Sequence, residues 1–387
     1  MSIMNLRKKI AVIGLGSTGS MALWQLSRTP GVDAIGIEQF GIGHGYGAYT
    51  GESRLFRTAY HEGATYVPLL QRSKELWTEL GALSGRILLH NFGVLSTGRE
   101  QEPAFQRLIE SVQQYDLPHE RLNAEQMRTR YPAMDFQDDE AGVLDLQGGA
   151  LRPESSVLSA IELATRNGAQ VYEHHKILGI THNHDQVVIH SPEGDLEVDK
   201  VIVTCGAWSN ELVPEIAELI EVRRLLLTWF QPENLADFQP KRMPCFIRDR
   251  DDFHIFGAPC VDGYSVKIAG LDLWGVPVDP HIEDEDPRVN RDAVSEFGRK
   301  VHELFPGVRP EPNRYSVHYD TYTASKAPII DAVGNVVVLT GGSGHGFKLA
   351  PAYGELAVKL ATQAANPLYS EEFSIAKHTP IHATMMG

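Results

Sequence analysis

Three cysteines in 387 residues, Cys205, Cys245 and Cys260, are too few and too scattered for a disulfide framework, and they show no metal-ligand spacing. No apolar run approaches the ~18 residues of a membrane-spanning helix. Cations are in the minority: 35 Lys and Arg stand against 50 Asp and Glu, for a net charge of −15. A broad nucleic-acid footprint needs a basic face, so that class of partner is excluded, although a local cationic pocket is not. Internal repeats and low-complexity tracts are also missing. The opening residues Met1–Lys9 run directly into an apolar strand, leaving no room for a signal peptide, so the expectation is a cytoplasmic protein. With 42% hydrophobic residues the chain can bury a full core, and its length suits two lobes.

What is present is glycine in a telling place. Gly14-Leu15-Gly16-Ser17-Thr18-Gly19 follows the apolar run Ile10–Ile13, and Glu38 lies 24 residues past Gly14. This is the strand, glycine turn and helix that bind a dinucleotide. Gly14 permits the tight turn, Gly16 lets the backbone approach a pyrophosphate, and Gly19 lets the helix pack against the strand. The helix start then offers free N–H groups and a positive dipole end. Glu38 closes a second strand, 33–38, where its carboxylate can accept ribose hydroxyls; an acid there argues against NADP.

Similar strand ends recur at Asp199–Trp208 and at Asn335–Gly346, the latter leading into a helical segment from Leu349 to Ala361. The three are expected to share one parallel sheet, with ligands at its carboxyl edge. Residues 66–134 read as helices, with an amphipathic stretch from Tyr66 to Trp77, and 222–278 read as strands, including Arg223–Phe230 and Tyr264–Ala269. The acidic, turn-rich segment 279–295 reads as a solvated loop. The fold class is therefore α/β (α+β overall). A discontinuous Rossmann-like domain spans 1–65, 145–222 and 325–387, and a second, substrate domain on an antiparallel sheet spans 66–144 and 223–324.

Four runs in order, the glycine turn with Glu38, Ser53–Tyr60, Val266–Gly270 and Ser343–Lys348, resemble the monomeric sarcosine oxidase and N-methyltryptophan oxidase group of FAD-dependent amine oxidases. The resemblance covers nearly the whole chain. It implies a glutathione-reductase-like FAD domain and oxidation of the C–N bond of a secondary amino acid to an imine. The imine hydrolyses to an amine and an aldehyde or oxoacid, and O2 is reduced to hydrogen peroxide. It implies that Arg54 lies against the flavin, that Arg57 and Lys348 hold the substrate carboxylate, and that Lys267 assists O2. A guanidinium suits such a carboxylate because it forms two parallel charge-assisted bonds. Alternation along its strand turns Lys267 away from Val266 and Ile268. Further FAD contacts are implied at Gln39, Ser53, Leu55, Ile177, Cys205, Gly206 and Trp208. Backbone N–H groups of Gly344, Gly346, Phe347 and Lys348 are expected at the flavin, with His345 either contributing or bracing the turn.

The departures are as informative. The family's flavin-linking cysteine maps to His318, so its thioether cannot form; non-covalent FAD is the preferred expectation, a histidyl link the alternative. A family tyrosine becomes Phe256 and a histidine becomes Leu271, which argues against plain sarcosine. N-methyl amino acids, iminodiacetate-like amines and Amadori-type adducts are the candidates. The expected partners are that small molecule and O2, in a monomer or small homo-oligomer. A dehydrogenase serving a carrier and a non-catalytic flavin subunit are the competing classes. Lys267 argues against the first, and the joint presence of Arg57, Lys267 and Lys348 against the second.

Overall fold

The computed structural model describes residues 7–183, 185–280 and 289–381. Two large sheets organise it. The first has six strands in the order Ile329–Val333, Val336–Thr340, Lys200–Val203, Lys8–Ile13, Val32–Ile37 and Gln170–Tyr172. All neighbours run parallel except the first pair, which is antiparallel. The three strands that end in glycine turns lie side by side, so their carboxyl ends open on one edge. Buried on both faces, they read as near-continuous Val and Ile runs.

Helices Ser17–Ser27, Pro153–Arg166 and Ala350–Ala361 pack over this sheet. Their close approach depends on missing side chains. A Cβ at Gly354 would lie 2.7 Å from the Ala22 nitrogen, and one at Gly19 would lie 1.8 Å from the Gly14 carbonyl oxygen.

The second sheet has nine strands. Its long strand Glu221–Pro232 pairs with Val308–Tyr322 on one side and with Val266–Gly270 and Trp274–Pro277 on the other. The sheet continues through Phe253–Ala258, Cys245–Arg250, Val94–Arg99, Glu140–Asp145 and His119–Asn123. It is antiparallel apart from one parallel pair, Cys245–Arg250 with Val94–Arg99. Helix Arg291–Leu304 covers one face, burying Val294, Phe297, Val301 and Leu304.

Two local expectations change. The stretch 66–134 is not all helical: helices Val67–Ser84, Pro103–Gln114 and Ala124–Arg130 alternate with sheet strands Val94–Arg99 and His119–Asn123. The acidic segment 279–295 is not all loop either. Residues 281–288 lie outside the described residues, and Arg291 already begins a helix capped by Asn290, whose side chain accepts from the N–H groups of Asp292 and Ala293.

Candidate active site

The glycine turn is built as its composition requires. Gly14 has φ +86°, and a Cβ there would meet the Thr204 carbonyl at 2.7 Å. Glu38 ties the turn down: its carboxylate accepts from the N–H of Leu15 at 2.8 Å and of Phe40 at 3.0 Å. Burial pushes its pKa up against these bonds. Helix Ser17–Ser27 starts without a side-chain cap, so its first N–H groups are left for a ligand.

One cavity of about 660 Å³ is lined by this turn and also by Lys267, Phe256 and Lys348. Gly14, Gly16, Ser17, Thr18, Glu38 and Gln39 border it. So do Ser53, Arg54, Leu55, Arg57, Ile177, Cys205, Gly206, Trp208 and Gly344 to Lys348. Gly19 does not line it; its contact with Gly14 makes it a packing residue rather than a ligand-facing one. His318 does not line it either. The cavity leaves room where a dinucleotide's backbone would run: a Cβ at Gly16 would meet only the Tyr49 ring, at 3.6 Å, and one at Gly206 nothing within 4 Å. With the open helix start and Glu38, these residues fit an FAD.

The cationic residues are held tightly. Arg54 donates to the carbonyl oxygens of Ser53, Ala48 and Thr50 at 2.8, 2.7 and 2.6 Å, and burial brings its pKa down to about 10. Lys267 is buried and donates to the carbonyls of Gly51 and Ser53 at 3.0 and 2.7 Å, with Nζ 5.4 Å from the Trp229 ring centre. Burial, then Arg54, lowers its pKa. Lys348 donates to the His345 carbonyl at 3.2 Å, its own carbonyl accepts from the Trp77 indole at 3.0 Å, and burial plus Arg57 lower its pKa to about 7.

Arg57 is not open as expected. Its Nη2 donates to both oxygens of Glu62, at 2.5 and 2.7 Å, and its guanidinium lies 4.3 Å from the Tyr60 ring centre. Burial alone would raise the Glu62 pKa, but Arg57, His61 and Lys348 outweigh it and hold the carboxyl ionised. Glu62 is thus a resident carboxylate on Arg57, one of the two expected carboxylate partners, and it feels the charge of the other, Lys348. It was missed because an acid five residues past an arginine in a loop follows no periodic pattern.

The turn Gly341–Lys348 also differs in part. The Gly344 N–H donates to the Asp320 carboxylate at 2.7 Å and the His345 N–H to the Gly342 carbonyl at 2.9 Å. His345 braces: one ring nitrogen pairs with the Tyr60 hydroxyl at 2.9 Å and the other donates to the Lys326 carbonyl at 3.0 Å, and burial lowers its pKa to about 4. The N–H groups of Gly346, Phe347 and Lys348 remain at the start of the following turn. Phe256 and Leu271 present apolar surface to the cavity, which His61 and His254 also line.

Residues 9–360 match the FAD dependent oxidoreductase family. The chain belongs to this family. It is 31% identical to monomeric sarcosine oxidase of Streptomyces avermitilis over 363 residues, 91% of this chain and 93% of that one. It is 30% identical to N-methyl-L-tryptophan oxidase of Yersinia pestis over 375 residues, 95% of this chain and 98% of that one. In fold it is similar to NikD, an unusual amino acid oxidase essential for nikkomycin biosynthesis, with a TM-score of 0.80 at 19% identity, covering 95% of this chain and 97% of that one. The chain is thus an FAD-dependent amine oxidoreductase of the sarcosine oxidase type. Among the described residues no helix is long and apolar enough to cross a membrane.

Proposed function

We propose that this oxidoreductase oxidises the C–N bond of N-substituted amino acids to an imine and passes the electrons to O2, giving hydrogen peroxide. The observation that carries this is the ion pair of Arg57 with Glu62 in a cavity that Lys348 also lines: a guanidinium already grips one carboxylate there, and the Lys348 charge helps hold that carboxylate ionised. A substrate carboxylate that displaces Glu62 gains the bidentate guanidinium and the ammonium together. Anchoring it there fixes the distance of the neighbouring C–N bond from the cofactor, and such positioning can supply much of the rate.

FAD, when bound, supplies the acceptor for the hydride equivalent. Gly14, Gly16, Ser17, Thr18, Glu38 and Gln39 would hold its dinucleotide part, with Ile177, Cys205, Gly206 and Trp208. Ser53, Arg54, Leu55 and the Gly346–Lys348 turn would hold the ring. Lys267 lies in a dry site that lowers its pKa; once protonated, its ammonium stabilises anionic oxygen there far better than in water. Phe256 and Leu271 offer no hydrogen bond, which favours a larger or more apolar N-substituent than methyl on glycine alone. N-methyl amino acids, iminodiacetate-like amines and Amadori-type compounds meet that description. We further propose that FAD is held without a covalent bond, since the residue at the family's linking position is a buried histidine outside the cavity lining. Three free thiols suit a reducing, cytoplasmic setting.

The test is a matched pair of compounds mixed with the enzyme without air: an N-methyl amino acid and its methyl ester. Flavin bleaching by the acid and not by the ester supports the carboxylate clamp; equal bleaching by both removes it.

A further inference from the structure

Asp320 is a carboxylate that the proposed reaction does not use, yet it lines the cavity. It sits near the end of strand Val308–Tyr322, in the run where the chain departs from the sarcosine oxidase pattern. Its oxygens accept from the Gly344 N–H at 2.7 Å and the Thr321 N–H at 2.9 Å. A Cβ at Gly342 would stand 3.5 Å from its Oδ1. The carboxylate therefore closes over the turn whose N–H groups were expected at the flavin, and it has taken one of those donors.

We propose that Asp320 is a positioning residue for charge: it takes up a proton when the flavin of the holoenzyme is reduced and gives it back on reoxidation. Two electrons and one proton entering the flavin leave it with one more negative charge. The second proton, from solvent, goes to the Asp320 carboxylate and cancels that charge; on reoxidation both protons leave. Burial, opposed by the two N–H groups and Arg54, already raises the Asp320 pKa, and a new anion in the same cavity raises it further.

The surrounding charges leave this role open. Arg54 is spent on three backbone carbonyls. On the same strand face, Tyr322 is pushed up by burial and His318 is held neutral at about 3. Arg223, opposite in the sheet, pairs with Glu221 at 2.5 Å and lies over the Tyr322 ring. Lys267 is bound to two carbonyls. Lys348 titrates in the same cavity near 7 and must be separated by experiment.

The proposal rests on a bound flavin but on no substrate, so the test uses dithionite titration of the holoenzyme in weak buffer. The readout is protons taken up per two electrons across about pH 5 to 8. Wild type is expected to approach two protons in part of that range, its reduction potential rising more steeply as pH falls there. Asp320→Asn, which removes the titrating group and keeps an acceptor for one of the two N–H groups, is expected to stay near one throughout; Lys348→Met keeps the extra uptake. Two protons in Asp320→Asn, or one proton in wild type at every pH, overturns the proposal. If Asp320→Asn loses its flavin, wild type is read together with Lys348→Met, and one proton in either at every pH overturns the proposal. Failure of secondary amino acids to reduce the enzyme would leave this titration unaffected.

Discussion

Arg57 Nη2 lies 2.5 and 2.7 Å from the two carboxylate oxygens of Glu62, in a cavity that also holds Lys348. The pair is self-contained: burial pulls the guanidinium pKa down, and Glu62 and Tyr60 more than restore it. A substrate acid entering this place competes with a carboxylate that the fold already supplies.

Removing the guanidinium tests that competition. Arg57→Ala takes away the stronger clamp and leaves Glu62 without its main partner. A charge-assisted bond contributes about 1.5–3 kcal/mol, so kcat/KM for an acidic substrate is expected to fall roughly ten- to more than a hundred-fold. Steady-state kinetics with and without the substrate carboxylate checks this, and the carboxylate-free analogue is expected to lose far less.

Lys348 makes binding depend on pH. Burial lowers its pKa to about 7, so the ammonium is present below that value and lost above it. In the free enzyme its contribution to carboxylate binding is therefore full in mild acid and fades as pH rises through about 7. The pH profile of kcat/KM for an acidic substrate is expected to lose this step in Lys348→Met.

Two glycines separate packing from open space. Gly19→Ala would set a Cβ 1.8 Å from a backbone oxygen, whereas a Cβ at Gly179 meets nothing within 4 Å. The first is expected to cost about 3 kcal/mol or more, lowering Tm and weakening FAD retention. Gly179→Ala is expected to change Tm little. Thermal melts with flavin release as a second signal check both.

His318 has one ring nitrogen against the Gly47 carbonyl at 3.1 Å and the other against the Ser316 hydroxyl at 2.7 Å, and burial lowers its pKa to about 3. Both nitrogens are engaged, so neither is poised to attack a flavin. Acid precipitation is expected to leave the yellow colour in the supernatant with the mass of FAD. Colour retained in the wild-type pellet and released by His318→Ala would show a histidyl bond instead.

The legible parts of this molecule are those governed by local pattern. The strand, turn and helix over 8–27 follow from an apolar run meeting glycines at fixed spacing, and the burial of Lys267 opposite the core follows from alternation between Val266 and Ile268. What was not legible depends on distant partners. Strand Val94–Arg99 forms because Cys245–Arg250 and Glu140–Asp145 flank it, and its own residues carry no such message. Glu62 and Asp320 became site residues only because a loop folds Glu62 onto Arg57 and the turn after Thr340 brings Gly344 to Asp320 on strand Val308–Tyr322. Gly19, read from the motif as the glycine that lets the helix pack close, lies against the Gly14 carbonyl.

The central claim is tested most directly by single turnover. The FAD-loaded enzyme is mixed without air with a panel of N-substituted amino acids, flavin absorbance is followed, and air is then admitted with peroxide measured. The account predicts bleaching by at least one secondary amino acid and rapid recolouring with one hydrogen peroxide per flavin. In Lys267→Met it predicts that the recolouring slows much more than the bleaching. An enzyme bleached by no secondary amino acid, or recoloured only by an added electron carrier, would contradict it.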